Sequence, residues 1–337
     1  MRERLNYIDI ARGICIILVV MGHFTPTDTP GWYVRFIDII YCFHMPLFMF
    51  ISGFVYQTYQ KPISYKKFIA KKFNRLMVPY FLVSVLIICI KLITGKGMYL
   101  QNPVSLSSFY EMFYSPTAGF FLWFIYVLFL IFLIIPFFNS EKKINLLLFI
   151  SLILYLLPVE ITTLFCLKYF KSYLFYFVLG CFMAQHKRIT SGIGKVPLIA
   201  TVSLFALLYV LRDLSYSHFH YATTLITLCL ALCGITFIIH ISKWIDLKTT
   251  SLKAFFMQMS LYSFTIYLFH TTFQGFIKSI LIKLSLTEWV AWINPIILFT
   301  ITVLTVYLAG IIGPIILYHI DEKGRTIIRK KLNKQTN

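Results

Sequence analysis

Arg12 and His23 stand eleven residues apart inside an apolar run from Tyr7 to Phe24, where a membrane helix should tolerate neither. At about 100° per residue, eleven steps return to nearly the same helical face, with a rise of roughly 16 Å. Asp9, one turn before Arg12, extends the row, so an acid, a cation and an imidazole line one side of a single apolar helix. A charge at mid-bilayer costs about 2.5–3.5 kcal/mol on insertion scales, and Asp9 is the expected partner that offsets it for Arg12. A neutral imidazole accepts a proton from a hydroxyl near pH 7, which makes His23 a candidate general base acting on an alcohol. The plainer alternative is a histidine hydrogen-bonded across helices.

Further polar groups interrupt other apolar runs. Pro46, in Phe43-His44-Met45-Pro46, predicts a kink that frees a backbone carbonyl, and His44 beside it suggests a wet interior. Ser52-Gly53 reads as a seam for close helix approach before it reads as a catalytic serine. Ser263 and His270 lie seven residues apart on one helical face with Tyr267 close by, either as structural hydrogen bonds or as the lining of the same cavity. His218 and His220 form a single His-x-His pair without a carboxylate, which is weak evidence for zinc, and His186, His240 and His319 fall near helix ends expected to be solvated. The seven cysteines lie within or close to apolar runs without ligand spacing, so no metal site is expected.

The elements that must hold these groups are set by composition. Of 337 residues 59% are apolar and 13% charged. With a mean hydropathy of +0.80, this predicts an all-α polytopic membrane protein. Apolar runs of about 17–25 residues give ten expected spans. They centre on 7–24, 36–56, 77–94, 119–138, 145–161, 169–185, 196–211, 221–241, 258–277 and 294–318. The first run starts late, carries Arg12 and lacks a small-residue cleavage site, so it is read as a span and not as a signal peptide.

The net charge of +19 would suit nucleic acid, but its distribution points elsewhere. With ten spans, 22 Lys and Arg fall on the side of the N-terminus, eight on the other and Arg12 inside the first span. That is the positive-inside pattern, with both termini cytoplasmic and no nucleic-acid partner expected. Lys61, Lys66, Lys67, Lys71, Lys72 and Arg75 form the densest cluster, between the second and third spans. Ser64 to Leu76 is expected as an interfacial helix with a narrow apolar stripe of Ile69, Phe73 and Leu76, serving as a lipid anchor or as a site for a phosphorylated ligand. A second short interfacial helix is expected over Leu106–Tyr114. The chain then reads as one membrane domain, 1–320, with a basic cytoplasmic tail, 321–337, whose Lys323 to Lys334 suit anionic lipid.

These residues together resemble the acyltransferase-3 family of bacterial integral membrane O-acyltransferases, and the start of the chain is similar to its fucose 4-O-acetylase-like subgroup. The resemblance is carried by Asp9-x-x-Arg12 followed by ten residues and His23; by Phe43-His44-Met45-Pro46-Leu47-Phe48 with Ile51-Ser52-Gly53-Phe54; by Lys72-x-x-Arg75 before Pro79-Tyr80; by Leu122-Trp123-Phe124; and by Ser263-x3-Tyr267-x2-His270. It implies transfer of an acyl group, usually acetyl, from cytoplasmic acetyl-CoA to a carbohydrate hydroxyl, on a lipid-linked or polymeric acceptor among others. It also implies that His23 and Arg12 are required, that Lys72 and Arg75 serve the donor, and that Trp123 belongs with the later motifs lining the cavity. Lys72 stands where the family has arginine, which keeps the charge and loses the bidentate fork. The polar stripe of Asp9, Arg12 and His23 would give footing to a pantetheine arm.

Two functions follow from different classes. One is a membrane O-acetyltransferase of the bacterial cytoplasmic membrane, with acyl-CoA, a carbohydrate acceptor and the lipid bilayer as its partners. The other is an exporter of a glycan or acylated intermediate, in which intramembrane Asp, Arg and His are equally at home.

Overall fold

The computed structural model describes residues 5–24, 29–95, 103–186, 192, 196–215, 220–248, 250–283 and 295–335, and among these the regular structure is helical throughout. Helix α1 runs over Asn6–Gly22, α2 over Gly31–Tyr41 and α3 over His44–Tyr59. Next come α4 (Tyr65–Lys72), a π-helical turn (Phe73–Met77), α5 (Val78–Thr94), α6 (Ser108–Glu111) and α7 (Trp123–Ile134). The chain continues as α8 (Glu141–Leu156), α9 (Leu167–Gln185), α10 (Leu198–Ser215), α11 (His220–Asp246), α12 (Ser251–Lys283) and α13 (Pro295–Gln335). Among the described residues six stretches are long and apolar enough to cross a membrane: Gly31–Tyr59, Tyr65–Thr94, Phe120–Phe137, Leu164–Gln185, Tyr221–Asp246 and Phe299–Glu322. The protein is thus an all-α integral membrane protein.

The expected spans coincide in large part with helix, and the departures have local causes. The segment 145–161 is helical only to Leu156, because Pro158 disfavours helical geometry at the residue before it. The segment 36–56 is broken, not kinked, and the break falls at Cys42-Phe43. Pro46 sits in the first turn of α3, where its missing N–H leaves no hydrogen bond unmade. Of the Leu106–Tyr114 stretch, only Ser108–Glu111 is helical. The basic segment is no separate interfacial helix, since α4 passes through the π turn directly into α5. Its buried residues are Phe68, Leu76 and Met77, while Phe73 is exposed, so of the predicted stripe Leu76 is buried and the preceding turn buries Phe68 in place of Ile69. The side chains of His218, His220 and the Lys323–Lys334 cluster lie outside the described residues.

The chain divides into two compact units, one of Met1–Ala11 with Asp38–Lys253 and one of Arg12–Ile37 with Ala254–Asn337. In the first unit α3 and α9 share the broadest interface, with Leu47, Met49, Phe177, Val178 and Cys181 at its core. Close approach is possible because both helices carry glycine there. A Cβ on Gly53 would meet the carbonyl oxygen of Phe177, and one on Gly180 would meet that of Phe50. Around this core the carbonyls of the 103–119 segment are held by side chains, with Tyr80 Oη donating to Met112 O at 2.7 Å, Tyr126 Oη to Phe113 O at 2.8 Å and Lys91 Nζ to Ala118 O at 2.9 Å.

The first unit also contains a charged group that the motifs did not announce. Arg212 of α10 pairs with Asp38 of α2 and with Asp213 at 3.2 Å, and its other nitrogen reaches Cys42 Sγ at 3.0 Å. Tyr209 Oη donates to Asp38 at 2.8 Å. The pair ties α10 to the last turn of α2, just ahead of the helix break. Arg212→Ala is expected to destabilise the detergent-solubilised protein by about 1–3 kcal/mol, less than a fully buried pair because the Asp38 side chain is 41% exposed. A melting series on Arg212→Ala, Asp38→Asn and the double variant should give losses that do not add. Additive losses would show that the pair contributes nothing as a pair.

Candidate active site

In the second unit, α1 and α12 lie side by side and run in the same direction. At one end a Cβ on Gly13 would meet the backbone of Phe256, so these helices touch backbone to backbone. Towards the other end lie Val20 and His23, against Gln274 and His270. Helix α1 stops at Gly22, and its last carbonyls need partners from outside the helix. Val19 O takes two, the backbone N–H of His23 at 3.3 Å and the imidazole Nδ1 of the same residue at 2.8 Å. Val20 O receives Gln274 Nε2 at 2.8 Å, and Phe24 O receives Tyr33 Oη at 2.9 Å. Tyr33 Oη in turn lies 2.6 Å from Tyr307 Oη of α13. Gly310 of α13 gives the room for Gln274 and Val20 to meet. The end of α1 is therefore gripped by α12, α2 and α13.

This grip fixes the chemistry of His23. A carbonyl oxygen only accepts, so the Nδ1 facing Val19 O carries the hydrogen and Nε2 carries the lone pair. The ring is half-buried and meets His270 edge to face, with centroids 5.0 Å apart and planes at 84°. His270 is itself fully buried, its Nδ1 set against Ile266 O at 3.0 Å and Tyr267 O at 2.9 Å. Its lone pair is therefore also on Nε2. Ser263, Tyr267, His270 and Gln274 follow at intervals of four, three and four, and all are buried. They form one polar row along α12. Ser263 Oγ is spent on Ser260 O at 2.8 Å. What the arrangement offers is an imidazole with a lone pair on a fixed nitrogen, beside a second imidazole in the same tautomer.

The residues singled out in the sequence divide between the two units. Arg12, His23, Ser263, Tyr267 and His270 belong to the second. Arg12 is half-buried on α1, one turn beyond the buried Asp9, which falls in the first unit. His44, also in the first unit, is fully buried with Nδ1 on Ile40 O at 2.8 Å, so it caps a carbonyl at the α2–α3 break. Ser52 Oγ donates back to Phe48 O at 2.8 Å within α3, a packing role. Trp123 is 7% exposed and lies in a tilted stack with Tyr169 and Tyr173 at 5.0 and 4.7 Å. Lys72 lies with its ammonium 3.6 Å from the Phe132 ring centre, while Arg75 is exposed. Among the described residues no group of three or more His, Cys, Asp or Glu is placed to hold a metal ion.

Gln274 escaped the sequence reading altogether, although it continues the Ser263-Tyr267-His270 spacing by one further turn. Tyr33 and Tyr307 escaped it because aromatic residues near span ends are ordinary in membrane proteins.

Comparison with known proteins places the chain in a family. The acyltransferase-3 family model, described as an acyltransferase domain, matches residues 5–313. Among curated proteins the chain is similar to nodulation protein NolL of Sinorhizobium fredii (strain NBRC 101917 / NGR234), 36% identical over 90 residues that make up 25% of this chain and 24% of that protein. NolL of Mesorhizobium japonicum (strain LMG 29417 / CECT 9101 / MAFF 303099) is 34% identical over 89 residues, with the same shares. The match thus spans about a quarter of each relative's length. No solved structure matches. With a family model covering nearly its whole length, the chain belongs to the acyltransferase-3 family.

Proposed function

We propose that this protein is an O-acetyltransferase of the bacterial cytoplasmic membrane that moves acetyl from cytoplasmic acetyl-CoA to a hydroxyl of a carbohydrate acceptor. The observation that carries this reading is the anchored His23 ring, whose Nδ1–H is committed to Val19 O and whose Nε2 therefore carries the lone pair of a base. Nε2 takes the proton of the acceptor hydroxyl as its oxygen attacks the thioester carbonyl. The carbon–sulfur bond breaks, and the departing thiolate recovers the proton from the imidazolium. Arg12, in the same row of α1, supplies positive charge for the donor or for the developing oxyanion. The parallel course of α1 and α12 supports their crossing the membrane in one direction, as the first and ninth of ten spans would.

The test of the reaction is transfer of radiolabel from acetyl-CoA to a sugar or glycan acceptor by purified protein in detergent, where no transport can occur. Label that stays on CoA across a panel of acceptors would overturn the reading.

Donor phosphates fall to the basic α4–α5 segment in this proposal. Lys72 and Arg75 are one turn apart, Lys72 supported by the Phe68 and Phe132 rings and Arg75 open to solvent. Removing both by alanine substitution is expected to weaken acetyl-CoA binding about tenfold at low salt and less at high salt, as exposed phosphate contacts are screened. Calorimetric titration at two ionic strengths reads this directly. Donor affinity indifferent to both changes would return the segment to a lipid anchor.

A further inference from the structure

The reaction above uses one histidine of α1 and leaves unexplained the buried polar row on α12. Burying a polar side chain costs about 1–3 kcal/mol when its hydrogen bonds are not replaced, so a row of four on an apolar helix has to be held there by something. Ser263 is satisfied within its own helix by Ser260 O, and the Gln274 amide nitrogen caps Val20 O. His270 shares with Ser263 a bond within its own helix and adds a ring contact to the end of α1. Its Nδ1 is set between two carbonyls of its own helix, which fixes the ring and presents its remaining edge to the second unit's interior. The group it meets there is the ring of His23, at 5.0 Å and nearly perpendicular. A leucine or phenylalanine would pack that volume without any polar cost.

We propose that His270 is a positioning residue for His23, and that the two imidazoles act as a pair. Before reaction both rings are neutral and hold the same tautomer, with Nδ1–H on backbone carbonyls. When His23 takes the hydroxyl proton on Nε2 it becomes a cation in a half-buried site, where charge is more costly than in water. The His270 ring, with its lone pair and its π face, is the polarisable neutral neighbour that stabilises that cation while the tetrahedral carbon exists. The charge disappears again when the thiolate takes the proton back from His23, so His270 ends as it began and no further reactant is needed. Gln274, one turn further along, serves the same end by holding the last turn of α1 against α12. This inference rests on the reading of His23 as the general base.

Two substitutions separate the pair from simple packing. His270→Phe keeps an aromatic ring of similar size and removes both nitrogens, and His270→Gln keeps an acceptor oxygen on a side chain of similar reach. The expected result is a fall in kcat of about 10- to 100-fold for His270→Phe, with KM for donor and acceptor unchanged and a smaller fall for His270→Gln. A second readout needs no turnover: the imidazole nitrogen resonances of His23, followed by ¹⁵N NMR in micelles, are expected to move in His270→Phe. Wild-type kcat in His270→Phe while His23→Ala is inactive would overturn the pair and leave the base reading standing. Equal losses in the Phe and Gln variants, with raised KM or unchanged His23 resonances, would likewise reduce His270 to packing. Full turnover by His23→Ala would instead overturn the base reading itself.

Discussion

His23→Ala is expected to lower kcat for acetyl transfer by about 10² to 10⁴-fold, the usual worth of a positioned general base, while the protein still inserts and still binds acetyl-CoA. The expectation of intact folding comes from the way the end of α1 is built. Val20 O and Phe24 O are held by Gln274 and Tyr33, neither of which involves the His23 side chain. Val19 O keeps its backbone partner, the N–H of residue 23, and loses only the ring. The ring is half-buried, so its removal opens no large sealed cavity. His23→Gln makes the stricter comparison, since an amide can donate to Val19 O but cannot take a proton near pH 7. Steady-state kinetics on both variants, beside a donor-binding titration, decide the matter: turnover within a few-fold of wild type in either would remove His23 from the chemistry.

The second large effect is expected at the α3–α9 crossing. Gly53→Ala would drive a methyl group into the Phe177 carbonyl oxygen, and Gly180→Ala would drive one between Phe50 O and Phe54 N. These obstacles are backbone atoms, which cannot rotate away as a side chain can, so the helices must separate and lose the packing of Leu47, Met49 and Phe177. Overpacking typically costs about 1–3 kcal/mol, and two such clashes at one interface fall at or above the top of that range when combined. Separating the helices would also break the bond from Cys181 Sγ to Gly53 O, 3.3 Å long. The double variant is expected to give little folded protein by size-exclusion chromatography, with each single variant lowering the melting temperature. Gly275→Ala supplies the control, because a Cβ there meets nothing within 4 Å. Replacing a helix-interior glycine in open space should be neutral or stabilise by up to about 1 kcal/mol. Wild-type melting in Gly53→Ala would show that the two helices do not approach as closely as described.

Hydropathy and short-range periodicity determined a good deal of this protein without help. That it is helical and embedded in a membrane follows from apolar runs of span length, because a bilayer core leaves the backbone few other ways to satisfy its polar groups. That α1 carries a polar row through Arg12 to His23, and that Ser263, Tyr267 and His270 share a face of α12, follows from 3.6 residues per turn. The order of the motifs was enough to suggest the acyltransferase-3 family, and the family model agrees.

What periodicity reached least was how segments far apart in the chain meet. Pro46 drew attention as a kink, yet the break lies at Cys42-Phe43, since a proline in the first helical turn is no obstacle and the chain bends before it. Of the expected stripe on the basic segment Leu76 is buried and Phe73 exposed, within a π turn that departs from the 3.6-residue period on which the expectation rested. Arg212 meets Asp38 across 174 positions of sequence, and Gln274 meets Val20 across 254. His23 finds its neighbour on a helix that begins at Ser251. Such pairings are set by which helices pack and how closely their glycines let them approach, a property of the folded chain and not of any segment in it. Sequence alone named the imidazole that could act as a base; the tertiary structure decided which nitrogen faces the Val19 carbonyl, what holds the ring, and what lies beside it.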